Sequence, residues 1–103
     1  MHFQDSFSYS LGSAQGIIFC LPSREWFIPN CWLLRSEINE KGTELRLDYT
    51  HSLVTIRGVR LGHLHEHIAR FDLSAVREVP PSPSGKEDDT RVDRIEITDK
   101  ALD

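Results

Sequence analysis

Two groups of residues in this chain have types and spacings that could do chemistry. The first is His63-Leu64-His65-Glu66-His67, which fits the H-x-x-E-H pattern. In that pattern two histidines one helical turn apart bind zinc and the glutamate acts as a base. Residues i and i+4 share a helix face, so His63 and His67 can in principle converge on one ion. The second group is Arg46 and Arg57, with Gly58 beside them, on a hairpin just upstream. Two planar guanidinium groups facing each other suit an anion, either a phosphate or the carboxylate of an acidic partner.

The elements that carry these residues weigh the two possibilities. Leu61, Leu64, Ile68 and Phe71 recur at helical spacing and predict an amphipathic helix over 61–71 with those four residues facing the core. His63, Glu66 and Arg70 then fall on the solvent side, His67 at the boundary, and His65 nearest the core. Glu66 and Arg70 form an i,i+4 pair, an ordinary structural role for the glutamate. The histidine pattern is therefore expected to be a surface coincidence, with no catalytic residue, no metal and no cofactor. A metal-dependent hydrolase built on His63, Glu66 and His67 is the alternative.

Residues 43–58 predict a β-hairpin. Leu45, Leu47 and Tyr49 alternate with Glu44, Arg46, Asp48 and Thr50, and Val54 and Ile56 continue the apolar face on the return strand. A two-residue turn at His51-Ser52 puts Tyr49 opposite Val54, Leu47 opposite Ile56 and Leu45 opposite Gly58. In this register Arg46 lies directly opposite Arg57, a like-charge contact that Glu44 and Asp48, flanking Arg46, are expected to screen; an anion held between the two is the alternative.

The rest of the chain reads as short strands. Gly16 to Leu21 is a buried strand stopped by Pro22-Ser23. Glu25 to Ile28 is another, interrupted at Pro29-Asn30 because proline cannot donate to a ladder. Trp32 to Ile38 resumes it, with Trp32, Leu34 and Ile38 on one face. Asn39 to Gly42 is a loop closed by a glycine at positive φ. Short strands follow around Ala75 to Val79 and over Arg91 to Thr98, the latter with Ile95 and Ile97 inward. Phe3, Phe7 and Leu11 have helical spacing, whereas Phe7, Tyr9 and Leu11 alternate, so the first fifteen residues fit either state. Pro80 to Asp89 is rich in proline and charge and predicts a mobile loop at about 80–90.

Composition excludes several classes. The 103 residues make one domain, of which 39% are hydrophobic and 27% charged. The net charge is −4, and residues 86–103, with seven acids and four bases, account for −3 of it. A nearly neutral body lacks the broad basic field of a strong nucleic-acid binder. No run approaches the roughly 20 apolar residues of a membrane helix, and the N-terminus has no secretion-signal pattern, so a cytoplasmic location is expected. Cys20 and Cys31 lack C-x-x-C spacing and are expected to be buried free thiols. The six glycines are scattered, with no phosphate-binding loop among them. Trp26, Phe27 and Trp32 fit core or interface positions better than a base-stacking platform.

Ile56-Arg57-Gly58-Val59-Arg60-Leu61, at the end of a strand, resembles the second signature of the Sm and Lsm small-barrel proteins. The segment Ile18 to Ile28 is similar in rhythm to the first hairpin of that family, although the first signature's Asp-x-x-Met-Asn is absent. The resemblance implies a small, strongly bent antiparallel sheet or barrel that assembles through its edge strands. It also implies that Arg57 and Gly58 line an RNA-binding pore. A pleckstrin-homology-like roll of antiparallel strands on one helix is the alternative architecture. The expected protein is mainly β with one or two short helices. It is expected to be a non-enzymatic binding or scaffold module that works as a symmetric homo-oligomer, a trimer or larger, with RNA or an acidic partner as possible ligand.

Overall fold

Alternation and turn chemistry resolve, in a computed structural model describing residues 7–9, 14–79 and 90–100, into strands flanking one helix. The strands are β1 (Phe7–Tyr9), β2 (Gly16–Cys20), β3 (Glu25–Pro29), β4 (Leu33–Ile38), β5 (Glu44–Tyr49), β6 (Ser52–Val59), β7 (Leu73–Arg77) and β8 (Arg91–Asp99). A 3₁₀ turn (Asn30–Trp32) joins β3 to β4, and the helix α1 (Gly62–Ala69) joins β6 to β7. The fold is mainly β, as the alternation predicts. Its strands are divided between two four-stranded sheets, ordered β1-β7-β2-β3 and β4-β5-β6-β8. Every pairing is antiparallel except β2 with β7, which run parallel.

One core lies between the sheets. Ile17, Phe19 and Ile28 enter it from the first sheet, and Leu45, Leu47, Tyr49, Val54 and Ile56 from the second. Leu61, Leu64 and Ile68 join the same cluster from the helix segment. Phe19 and Tyr49 meet edge-on across the sheets, with ring centroids 6.5 Å apart.

The hairpin register differs from the expected one by two residues. Leu45 stands opposite Ile56, Leu47 opposite Val54 and Arg46 opposite Thr55. The connection is Thr50-His51 rather than His51-Ser52. A shift of two leaves every apolar residue on the core face, so burial alone cannot distinguish the two registers. Lys100 fixes the tip: its backbone N–H donates to the His51 carbonyl, and its ammonium donates to the Asp48 carboxylate and the Tyr49 carbonyl.

Three other expectations are corrected. Leu34 is 63% exposed and Trp32 also faces outward, because a bulge between Leu33 and Arg35 inverts the alternation of β4. Leu33 and Ile38 pack on the core instead. Phe71 is half exposed, not part of the helix's core stripe. The helix ends before it, and Phe71 takes φ +59°. Its N–H donates to the Ile68 carbonyl and that of Asp72 to the His67 carbonyl, which is a Schellman closure with phenylalanine where glycine is usual. The thiols are free, but Cys31 is exposed and Cys20 only half-buried. Cys20 occupies an outward position opposite Glu25.

Other elements follow the sequence closely. Gly42 closes its loop at φ +69°, and Asn39 Oδ1 accepts the N–H groups of Thr43 and Glu44 at 2.8 and 3.1 Å. Phe7 to Tyr9 is extended, the alternating option; Phe3 and Leu11 lie outside the described residues. The expected loop at about 80–90 lies, except for Thr90, outside them as well.

Candidate functional site

The observed hairpin register changes the company of both arginines. Arg57 stands across from Glu44 on β5 and from Arg94 on β8. Its Nε–H donates to Glu44 Oε1 at 3.3 Å and its Nη1–H to Glu96 Oε1 at 2.8 Å. Arg46 lies 3.4 Å from the other Glu44 oxygen, and Arg94 3.1 Å from Glu96. The outer face of β5, β6 and β8 thus carries a chain of alternating charge: Arg46, Glu44, Arg57, Glu96, Arg94. Each guanidinium already has a carboxylate, so an incoming phosphate must compete with Glu44 and Glu96.

Gly58 has a packing role. At the bulge where β8 shifts register, a Cβ on Gly58 would lie 1.9 Å from the Arg91 carbonyl oxygen. Only glycine lets the β8 backbone approach this closely. This gives the Arg-Gly pair a reason to exist that involves no ligand.

The helix divides the histidines. His67 Nδ1–H donates to Asp72 at 2.8 Å, and its ring stacks on Tyr9 at 4.2 Å and 14°. His65 Nε2 is hydrogen-bonded to Ser36 Oγ at 3.0 Å, which ties the helix to β4. His63 is exposed and lines an open depression with Arg60, Gly62 and Glu66. A carboxylate on Nδ1 is what a zinc-binding histidine often has behind it, leaving Nε2 to face the ion. Among the described residues, however, no three His, Cys, Asp or Glu side chains come together as a metal-holding group. Cys20 offers no activated nucleophile, since burial and the facing Glu25 push its thiol up.

The chain matches no protein-family model, no curated protein and no solved structure.

The surface also carries apolar residues that alternation assigns to the core or does not place. Ile18 is 38% exposed, Phe27 56% and Trp32 43%, and Leu34 belongs with them. Ile18 and Phe27 are partners across the β2–β3 ladder and share its outer face. The Phe27 ring lies over Gly16, beside the Ile28 carbonyl. The signal for them was present: a continuous apolar strand must turn every second side chain away from the core it faces. Trp32 meets His51 edge-on at 5.1 Å.

Proposed function

We propose that this protein is a non-enzymatic β module that acts as a homo-oligomeric binding or scaffold protein. The observation that carries this reading is the apolar outer face of Ile18 and Phe27 on β2 and β3, with β3 at the edge of its sheet. Edge strands of this kind are where chains add to one another, and proteins that stay monomeric usually blunt them with bulges, charges, prolines or covering segments. β3 carries one such guard, the Pro29 at its end that the sequence already marks. The polar groups of the chain support the same reading from the other side, since Arg46, Arg57 and His67 are each engaged within the fold. Light scattering coupled to sizing over a concentration series tests it. Oligomer is expected at micromolar concentration, and a monomer throughout would overturn the reading. RNA or anion binding at Arg46, Arg57 and Gly58 is the lesser reading, because it requires displacing Glu44 and Glu96. Binding of short oligonucleotides that Arg57→Gln abolishes would reinstate it.

A further inference from the structure

The free edge of β3 can be read group by group. Leu21 N–H donates to the Arg24 carbonyl and Asn30 N–H to the Gln15 carbonyl, both at 2.8 Å. These are hydrogen-bonded pairs at the two ends of the β2–β3 ladder, and antiparallel ladders alternate. Trp26 and Ile28 therefore bond inward to β2. Glu25 and Phe27 direct N–H and C=O to the other side, together with the carbonyl of Pro29. Among the described residues no strand pairs with that side.

The other three sheet edges are blunted. β1 has three residues and a register break. β4 is bulged at Leu34, and its Ser36 is held by His65 from the helix. On β8, Glu78 accepts the Ile95 N–H at 2.9 Å, and Val79 N–H donates to the Val92 carbonyl. A head-to-tail ring needs two different open edges on each subunit. Among the described residues this chain offers one. An open edge that can pair only with its own copy must do so antiparallel about a two-fold axis.

Electrostatics selects the register. Centring the axis on Glu25 sets the two Glu25 carboxylates face to face, and centring it on Trp26 leaves them diagonal neighbours; both are unfavourable. Centring it on Phe27 places Glu25 opposite the partner's Pro29, and the two Phe27 rings meet on the axis. Each Phe27 N–H then finds the partner's Phe27 carbonyl, and each Glu25 N–H the partner's Pro29 carbonyl. Proline is tolerated where it sits because this register asks it only to accept.

Resting on the homo-oligomer reading above, we propose that two copies pair β3 to β3 about a two-fold axis through Phe27, which joins their first sheets into one continuous eight-stranded sheet. The preferred contact is thus two-fold, where the sequence suggested a ring of three or more.

Cysteine cross-linking reads the register directly. A hydrogen-bonded antiparallel pair sets its Cα atoms about 5.5 Å apart, within disulfide range. In a background of Cys20→Ser and Cys31→Ser, Phe27→Cys should give a disulfide-linked dimer under mild oxidation, and Glu25→Cys should not. As a check on unaltered protein, the Glu25 and Phe27 amides should exchange with solvent more slowly as concentration rises. Cross-linking at Glu25→Cys as efficient as at Phe27→Cys would overturn the register. An oligomeric wild type whose Glu25 and Phe27 amides gain no protection would overturn the β3 contact while leaving the oligomer reading intact. A wild type that is monomeric at every concentration would overturn both.

Discussion

Arg57 lies across the β5–β6 ladder from Glu44, with Nε and Oε1 3.3 Å apart. On its other side stands Arg94, and Glu96 bridges the two arginines. Removing Arg57 takes away two exposed ion pairs and one like-charge contact, so the net loss is small. Arg57→Gln should lower stability by about 0.5 kcal/mol. The difference should shrink in high salt, because screening over a few ångströms weakens such pairs. Urea unfolding of both proteins at two salt concentrations checks it, and a more stable variant would restore the Arg46–Arg57 opposition.

Gly58 admits no side chain. The overlap of a Cβ with the Arg91 carbonyl can be relieved only by moving the β8 backbone. Gly58→Ala should cost about 2 kcal/mol or more, within the range of severe overpacking. Thermal and urea unfolding measure this, and a loss below about 0.5 kcal/mol would show that β8 does not approach here.

Tyr49 is fully buried, and among the described residues its hydroxyl has no hydrogen-bond partner. Tyr49→Phe removes that unsatisfied group and should be neutral or stabilising by about 1 kcal/mol. Burial pushes the phenol up, so the folded state keeps the proton after the unfolded chain has lost it. The stability this proton confers is complete below an unfolded pKa of about 10 and is lost as pH rises above it, by up to about 1.4 kcal/mol per pH unit. Unfolding curves from pH 8 to 11 should therefore fall less steeply for the phenylalanine variant.

His67 and His63 should respond differently despite their shared motif. His67→Ala loses the Asp72 bond and the Tyr9 stack, together worth about 1–2 kcal/mol. His63→Ala should stay within about 0.5 kcal/mol of wild type. Equimolar zinc should leave the melting temperature unchanged, because only an ion that prefers the folded state raises it. A zinc-dependent rise lost in both variants would favour the hydrolase alternative.

The sequence was most legible where one rule acts alone. Alternation along residues 44–49 and 52–59 identified both strands and their buried faces, and Asn39 with Gly42 marked the loop ahead of them. Legibility failed where two arrangements bury the same atoms. The hairpin could slip by two at no cost in burial, and that slip moved Arg57 from Arg46 to Glu44. Alternation runs on through a bulge, and so it puts Leu34 on the wrong face. Phe71 carries no residue-type mark of its left-handed closure. Nothing in residues 16–20 or 73–77 announces that these segments pair in parallel, because side chains alternate along a strand in the same way whichever direction its neighbour runs.

That parallel pair has a kinetic consequence. Ile18, Phe19 and Cys20 pair with Ala75, Val76 and Arg77, so this contact closes a long loop. The β4–β5 and β5–β6 hairpins close short loops, so the second sheet can begin to assemble early. The first sheet must wait for β7, which pairs with both β1 and β2 and sits between them. During synthesis β2 and β3 leave the ribosome well before β7. Over that interval the hairpin carrying Ile18 and Phe27 has apolar side chains on both faces and neither its sheet neighbour nor its core. This is the stage at which the chain is most exposed to misassembly, and where a chaperone would have the most to shield.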